Sequence, residues 1–361
     1  MIERLTRRAI LAALPATLSG ATTQSAKKAR PLPNVGEFVR FADPITETPV
    51  VRLTSTGSTS VFPAATNRFV SVKSRFLIFS SDRTGKPVPF QVDLRTGTLA
   101  LLAETTDLDT SSLCLDERAK LLYLLDGGKL REVTVANKRV RTLAENVSAF
   151  GLVRAAEFVV VKEGRLEQLN PKGGVLAEDV HSWCLVRPGG EGCAFARMGP
   201  ANEQEFWYVP LPSSGTAKPK LLASGRISNP FWSPDGQSLL LLRDVEAGNT
   251  FCSEIREVFP EADEERAVAR TSQFAAFAPN GDASMFVGAS RSKAQPTIML
   301  LIRSVKRELT LCEHRASNPA AVQPAFSQDS RRVYFQSDHQ GKSALYSVNV
   351  ELLVEPTASA V

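Results

Sequence analysis

The sequence predicts an all-β protein built as one seven-bladed β-propeller. The first observation is a strand–turn–strand unit that recurs along the chain, with copies in its second half 45 and 49 residues apart. Four-stranded propeller blades repeat at about 40–50 residues. The second observation is that no segment keeps an apolar period of 3.6 residues, so no long amphipathic helix is expected.

The clearest copies of the unit lie at residues 229–242, 273–286 and 323–335. Each has a short apolar strand, a turn and a second apolar strand. Two of the turns contain Pro-Asp-Gly at 234–236 and Pro-Asn-Gly at 279–281. Proline presets φ at the first turn position, and a glycine after Asp or Asn accepts a positive φ. The charged stretch 262–269 is expected to be an edge strand.

Weaker copies extend the pattern upstream and bring the number of units to seven. Their predicted spans are 58–104, 105–145, 146–179, 180–225, 226–269, 270–314 and 315–350. The seventh has three strands of its own, so residues 50–54 are expected to supply its fourth, outer strand. Such closure would remove the open sheet edge. A two-domain β-sandwich is the alternative, but the regular repeat favours the propeller.

The N-terminal residues 1–33 predict an export signal and a linker, and residues 34–361 the propeller domain. A twin arginine, Arg7-Arg8, precedes a short apolar stretch, and small residues follow at 19–21. The stretch is shorter than the about 20 residues that a membrane span needs. It resembles a twin-arginine export signal, which predicts a periplasmic or secreted protein with no membrane span after export. A frayed basic helix is the alternative.

Composition limits the possible functions. Hydrophobic residues make up 43% and charged residues 22%, which excludes a disordered chain and a polytopic membrane protein. The net charge is +5, with much of the excess near the N-terminus, so no nucleic-acid partner is expected. The spacing of the five cysteines matches neither a disulfide framework nor a zinc site, although Cys184 and Cys193 could be hairpin neighbours. Most cysteines are expected to be buried, and the oligomeric state stays open.

Several segments, taken in order, resemble those of the oligogalacturonate lyases: residues 43–54, 309–314, 323–326 and 337–346. The likeness covers most of residues 38–350. It implies a seven-bladed propeller that cleaves short galacturonate chains by β-elimination. In that family a histidine removes the proton at sugar C5, and a divalent metal, usually manganese, binds the uronate carboxylate. Arginine helps to hold the acidic sugar.

The positions that match the family's catalytic groups carry other residues here. The family's base, a histidine shortly before a Phe-Trp pair, matches Asn229, and a metal-binding histidine of the next blade matches Gln273. The family's remaining metal ligands match Asn318, Ala321 and Gln323. Amides cannot act as a general base near neutral pH and make a poor manganese site. We therefore expect no metal or other cofactor, and cleavage by the usual mechanism is in doubt.

Four amides fall at or before the first strand of a blade, where loops face the central channel: Asn229, Gln273, Asn318 and Gln323. They predict either a neutral pocket for sugar hydroxyls or residues that only satisfy backbone groups. His314 matches a family position and is a candidate ligand contact, or else a strand-end histidine bonded to backbone. Trp232 is a candidate sugar-stacking platform, although packing between blades is favoured.

The other candidates are favoured as solvated surface groups. They are His181, which could be functional because blade starts line the central channel, His339 in a turn, and the cations Arg83, Lys86 and Arg243, which could meet a carboxylate. Two functions follow from the sequence. One is a lyase-like propeller that binds, and cleaves, pectin-derived oligogalacturonides or other small saccharides. The other is a non-catalytic saccharide-binding or protein-interaction scaffold in the periplasm.

Overall fold

A computed structural model describes residues 36–154, 156–169, 173–200, 202–211, 218–247, 250–271, 273–351 and 353. The predicted export signal and linker at 1–33 lie outside these residues. The described chain is almost entirely β-structure, with two short 3₁₀ turns at Val72–Ser74 and Pro319–Ala321. No helix among these residues has the length and apolar character needed to cross a membrane.

Two strands precede the repeats, β1 (Val39–Ala42) and β2 (Pro49–Arg52). Blades 1 to 3 follow as antiparallel sheets of four strands each. Their strands are β3 (Ser60–Val61), β4 (Phe76–Ser81), β5 (Val88–Asp93), β6 (Leu99–Leu101), β7 (Cys114–Leu115), β8 (Leu121–Asp126), β9 (Lys129–Thr134), β10 (Val140–Ala144), β11 (Ala149–Arg154), β12 (Glu157–Lys162), β13 (Arg165–Leu169) and β14 (Val175–Ala177).

Blades 4 to 6 repeat this arrangement, and blade 7 contributes three strands of its own. Their strands are β15 (Cys184–Val186), β16 (Gly192–Met198), β17 (Gln204–Pro210), β18 (Lys220–Gly225), β19 (Ile227–Trp232), β20 (Leu239–Ala247), β21 (Thr250–Phe259), β22 (Glu264–Arg270), β23 (Phe274–Pro279), β24 (Met285–Ser290), β25 (Thr297–Ile302), β26 (Arg307–Glu313), β27 (Ala325–Phe326), β28 (Arg332–Ser337) and β29 (Ala344–Asn349).

The seven sheets confirm the predicted seven-bladed, all-β fold. Five of the predicted spans contain one whole sheet each, the seventh contains the three strands that blade 7 contributes itself, and β22 runs one residue past the end of the fifth. The charged stretch at 262–269 is, as expected, an outer strand, β22. The second strand of a blade is covered on both faces by neighbouring blades, so its sequence is a nearly continuous apolar run, as in β8 (Leu-Leu-Tyr-Leu-Leu-Asp).

The last sheet joins the two ends of the described chain. Strand β2 pairs antiparallel with β29, with Val50 opposite Val348 and Arg52 opposite Tyr346. Beyond this the sheet holds a fifth strand, because β1 pairs with the outer edge of β2. The sequence predicts four strands in this blade, so β1 is an addition to it.

The two proline-containing turns differ in how they are made. At 233–236 the Gly236 N–H donates to the Ser233 carbonyl (2.8 Å) and Gly236 has a φ of 73°, as the Pro-Asp-Gly pattern predicts. In the Pro-Asn-Gly copy the left-handed residue is Ala283, with a φ of 54°, and not Gly281. Its turn is held by the Asn280 side chain, which accepts from the Met285 N–H (3.0 Å). The predicted role of Gly281 is therefore wrong.

The apolar core lies between blades. Tyr123 of blade 2 meets Phe158 of blade 3 edge-on at 4.9 Å, and Phe231 of blade 5 meets Phe277 of blade 6 at 5.4 Å. All five cysteines are free and four are buried, in agreement with the sequence interpretation. Cys184 and Cys193 lie on the paired strands β15 and β16, the predicted hairpin neighbours.

The antiparallel order gives each blade two loop-bearing edges. Loops that lead into the first, innermost strand share one edge with the loops between second and third strands, and we call this the upper face. Loops between first and second strands and between third and fourth strands lie on the opposite, lower face. This division places the functional residues described next.

Candidate functional site

The amides at the four predicted positions fall on the upper face of three consecutive blades. Asn229 lies within β19, Gln273 directly precedes β23, and Asn318 and Gln323 lie in the segment that leads into β27. The 3₁₀ turn at Pro319–Ala321 packs against β23 and β24 of blade 6. The topology therefore brings together the predicted residues of blades 5, 6 and 7.

Asn229 bridges two blades. Its Nδ2 donates to the carbonyl of Ala275 (3.3 Å) in blade 6 and contacts Ser228 Oγ (3.2 Å). The residue is half-buried and has a left-handed φ of 52°, at a register shift in β19. Asparagine tolerates this conformation better than most residues. Its side-chain amide thus satisfies a backbone carbonyl and still has exposed surface.

Asn318 is exposed and caps the 3₁₀ turn, because its Oδ1 accepts from the Ala320 N–H (3.1 Å). With Ala321 it lines a cavity of about 160 Å³ whose polar lining includes Ser317, Gln336 and Asp338. Gln336 holds this wall in place, since its Nε2 donates to the Ala321 carbonyl (2.6 Å).

Asp338 is a site residue that the sequence interpretation missed. Its Oδ1 accepts from the Ser317 N–H (2.8 Å), and its other oxygen accepts from the Ser317 hydroxyl. Burial works to raise the pKa of Asp338, but the hydrogen bonds from Ser317 outweigh it and hold that pKa below its usual range. Asp338 is therefore ionised at neutral pH. The signal in the sequence that could have revealed Asp338 is its position directly after β28, in a loop of the upper face.

Gln323 carries an unsatisfied acceptor. Its Oε1 is buried and has no hydrogen-bond partner among the described residues. The residue also has a left-handed φ of 46°. A buried acceptor without a partner is disfavoured and rare. Of the four predicted amides, Gln323 has the atom that most needs an external donor.

A guanidinium lies close to the amides, on Arg291 at the end of β24. Its backbone N–H donates to the Gln273 carbonyl (2.7 Å), and its Nη2 donates to the Ser253 hydroxyl (2.7 Å) and the Phe274 carbonyl (2.8 Å). Its Nη2 also forms an ion pair with Asp244 Oδ1 (3.3 Å), and the Arg291 side chain is 42% exposed. The sequence analysis did not single out Arg291, because its nearness to Gln273 depends on the pairing of β23 with β24.

Two predicted ligand contacts are structural residues. Trp232 is buried, donates its Nε1–H to the Leu185 carbonyl (3.0 Å) and packs edge-on against Tyr208 (5.7 Å). It joins blades 4 and 5 and offers no face to a sugar. His314 is fully buried; its Nδ1 accepts from the Ala316 N–H (3.0 Å) and its Nε2 lies 3.0 Å from the Ser290 carbonyl. Neither ring nitrogen is left for a ligand.

The remaining sequence candidates are surface groups. His181 and His339 are exposed. Arg83 pairs with Glu37 (2.7 Å), and Arg243 forms a two-pronged pair with Glu265 (2.8 and 2.9 Å). Their charges are therefore already balanced.

The residues at the predicted metal positions do not fit a divalent cation such as manganese. Ala321 has no donor atom, the Asn318 oxygen is used by the 3₁₀ turn, and Gln273 is exposed. In the part of the chain that the structure describes, no group of three or more His, Cys, Asp or Glu side chains could hold a metal. Neutral amide oxygens are weak ligands for such ions.

Comparison with solved structures identifies the class of fold. The chain is similar to an oligogalacturonate lyase in complex with manganese, at 18% identity and a TM-score of 0.75, over 86% of this chain and 96% of that one. It is similar to the oligogalacturonate lyase of Vibrio parahaemolyticus, at 18% identity and a TM-score of 0.76, over 87% and 96% of the two chains. A more distant likeness is to hydrazine synthase of Kuenenia stuttgartiensis, at 12% identity and a TM-score of 0.53, over 79% and 95%.

The protein is thus a seven-bladed propeller with the fold of the oligogalacturonate lyases, as the sequence resemblance implies. At this level of identity the likeness establishes the fold alone. No protein-family model matches the sequence. A search of curated proteins finds no match either.

Proposed function

We propose that this protein is a saccharide-binding propeller that takes pectin-derived oligogalacturonides at its upper face, in the periplasm or outside the cell. The observation that carries the proposal is the buried Oε1 of Gln323, which has no hydrogen-bond partner among the described residues and lies among the amides of blades 5 to 7. A sugar hydroxyl is a donor of the right kind for this oxygen, and amide groups suit hydroxyls as both donors and acceptors. The likeness to oligogalacturonate lyases supports the choice of saccharide.

The charges at this face suit an acidic sugar with free hydroxyls. Arg291 pairs with Asp244 through Nη2 (3.3 Å) but its side chain is 42% exposed, and a guanidinium binds further carboxylates through charge-assisted hydrogen bonds. Asp338 is an acceptor for a hydroxyl beside the small cavity that contains Asn318. Arg291 lies on blade 6 and Asp338 on blade 7. A uronate carboxylate is therefore best placed on the blade 6 side, near Gln273, where it meets the cation.

The same residues argue against cleavage by β-elimination. Removal of the C5 proton needs a base, and an amide at Asn229 cannot supply one. The histidines are buried and bonded to backbone (His314) or exposed (His181 and His339). Asp338 is a weak base, since its hydrogen bonds lower its pKa. Cleavage by residues not identified is the second candidate, favoured by the fold likeness alone.

Calorimetry tests the proposal. Galacturonate trimer should bind saturably, and the neutral galactose trimer should bind more weakly because it cannot pair with Arg291. Gln323→Leu keeps the side-chain volume but removes the unsatisfied acceptor, so the trimer's affinity should fall about fivefold or more while unfolding stability is kept. Gln328→Leu, an exposed change on the lower face, is the control. Equal effects of the two substitutions, or no binding of the galacturonate trimer, would overturn the proposal.

A further inference from the structure

We propose that the lower face holds a second site, a cleft between blades 7 and 1 that binds a small molecule carrying two or more anionic groups. The cleft has a volume of about 630 Å³. This lies within the range of about 300–1,000 Å³ usual for small-molecule sites. It is formed where ring closure brings the last blade and strand β1 against the first blade.

Five cations and one carboxylate line the cleft. Blade 1 contributes Lys73, Arg75 and Arg95 together with Asp93, and blade 7 with its added strands contributes Arg40 and Arg332. No ion pair within 4.0 Å joins any of the five cations to a carboxylate of the described residues. Most other arginines of blades 5 and 6 have such partners, for example Arg243 with Glu265 and Arg303 with Glu257. The positive charge of the cleft is therefore left uncompensated.

Asp93 does not cancel this charge. Its Oδ1 accepts from the backbone N–H groups of Thr96 (2.7 Å) and Arg95 (2.9 Å), and it shapes the turn between β5 and β6. Even with Asp93 ionised, the lining keeps an excess of four positive charges. Low-dielectric walls concentrate such a field and draw anions from solution.

A buried tyrosine whose hydroxyl has no partner among the described residues lines the same cleft. Tyr334 is completely buried, and its phenol oxygen has no hydrogen-bond partner among the described residues. Burial raises the pKa of Tyr334, so the phenol stays protonated and can donate. A phosphate or carboxylate oxygen would accept this hydrogen bond. This second observation, independent of the charges, indicates a ligand in the cleft.

The loop that enters the cleft from blade 1 is strained. Lys73 and Ser74 have consecutive left-handed φ angles of 61° and 49°, although neither is glycine. The Ser74 hydroxyl is buried and, like that of Tyr334, has no partner in the described residues. Strain of this kind concentrates at functional sites and persists only where the surroundings enforce it. Here it places a cation and a hydroxyl on one wall.

The lining selects the ligand's chemistry. A single negative charge would leave most of the excess unpaired, whereas two or more anionic groups could each meet a separate guanidinium. Two sources share this chemistry: a free phosphate- or carboxylate-bearing small molecule, and the uronate groups of an acidic oligosaccharide. The cleft lies on the face opposite to Asn229 and Gln323, so it is a different site from the upper-face amides.

Calorimetry on the full chain with pyrophosphate, citrate and galacturonate trimer tests this site. Saturable binding of at least one of them is expected, weaker at high salt because exposed charges are screened. Arg95→Gln and Arg332→Gln should each weaken it about tenfold, the loss of one charge-assisted contact. Arg139→Gln is the matched control, because Arg139 is exposed in the corresponding turn of blade 2. If Arg95→Gln weakens binding of the galacturonate trimer, the cleft takes an acidic oligosaccharide. If it weakens only the binding of pyrophosphate or citrate, the cleft takes a free small anion.

Tyr334→Phe adds a readout that a purely structural tyrosine would not give. Removal of an unpartnered buried hydroxyl should keep or raise the unfolding temperature of the free protein, yet lower the anion affinity about threefold or more. Absence of saturable binding by all three anions would overturn the proposal. So would an equal loss of affinity in Arg139→Gln and Arg95→Gln, since that would reflect overall charge and not this cleft.

Discussion

Gln336 links the last blade to the first through Phe62: its Oε1 accepts a hydrogen bond of 2.7 Å from the Phe62 N–H. The two residues are 274 positions apart in the chain. The other end of the same amide donates to the Ala321 carbonyl (2.6 Å). One side chain therefore stabilises both the closure of the ring and the loop that carries the candidate site.

Replacement of Gln336 should destabilise the fold. Gln336→Leu keeps the volume but leaves the buried Phe62 N–H and the part-buried Ala321 carbonyl without their partner. A buried unsatisfied group costs about 1–3 kcal/mol and a part-buried one less, so the free energy of unfolding should fall by about 2–4 kcal/mol. Urea titration measures this. Gln340→Leu is the control: Gln340 also bonds across the closure, to Arg52, but is exposed, and its loss should cost under about 1 kcal/mol. Equal costs would contradict the role given to Gln336.

Trp232 should matter for stability and not for saccharide binding. Trp232→Phe removes the hydrogen bond to the Leu185 carbonyl and part of the contact with Tyr208 between blades 4 and 5. The expected loss is about 1–3 kcal/mol of unfolding free energy. Galacturonate-trimer affinity, measured by calorimetry, should stay within about twofold of the unmodified chain, since such a change is below about 0.5 kcal/mol. A large loss of affinity in a stable variant would restore the stacking-platform hypothesis.

His314 should make the protein sensitive to mild acid. Burial lowers the pKa of His314 from its ordinary value of 6.5. Above that pH both folded and unfolded chains hold the neutral ring, so it has no effect. As the pH falls below 6.5, the unfolded chain takes up a proton that the folded chain refuses, and stability is lost. Protonation at Nδ1 would also set two donors against each other, because Ala316 N–H already donates there.

Unfolding titrations between pH 7.5 and 5 check this expectation. Stability of the unmodified chain should decline on acidification, and His314→Gln should decline less steeply, whatever its absolute stability. Exposed His181→Gln serves as the control and should keep the original slope. If His314→Gln leaves the slope unchanged, the neutral buried imidazole is not its origin.

The unmodified protein should not bind manganese, and two histidine substitutions should introduce such binding. Dialysed protein is expected to retain no stoichiometric manganese. Introducing His at Ala321 and Gln323 supplies imidazole nitrogens, which suit transition metals better than amides, and histidine tolerates the left-handed φ of 46° at position 323. The double variant should bind manganese at least about tenfold more tightly, a gain of about 1.4 kcal/mol.

The control for the metal experiment is the same pair of substitutions at exposed Ala136 and Lys138, in a turn of blade 2. Both pairs are two residues apart, so an effect of added histidines in general would appear in each. Stoichiometric manganese in the unmodified chain would show that the residues at this face have been assigned wrongly.

The sequence predicts the fold of this protein well because a propeller repeats one local pattern. Each blade unit carries its own apolar strands and turn residues, and the spans follow from those. The sequence does not predict strand β1, since its four residues alternate half-buried and exposed positions only because β2 lies beside them. Short strands on a sheet edge have little local signal of their own.

The candidate site was predicted less completely than the fold, because its geometry depends on strand register and on closure of the ring. The register shift in β19 between Ser228 and Phe231 decides which way the side chains near Asn229 and Trp232 point, and a slip of one residue reverses the faces. Asp338 and Arg291 reach the amides through strand pairing. The five lower-face cations, scattered between Arg40 and Arg332, become one cluster only when the ring closes. No local pattern contains that information.

We propose that the lyase fold here binds acidic saccharides without cleaving them. The most direct measurement follows one sample of the purified chain with galacturonate trimer and manganese, recording heat of binding and the absorbance of the unsaturated product together. We expect saturable binding, with absorbance growing no faster than it does without protein. Catalytic formation of unsaturated product, or no binding at any concentration tested, would contradict it.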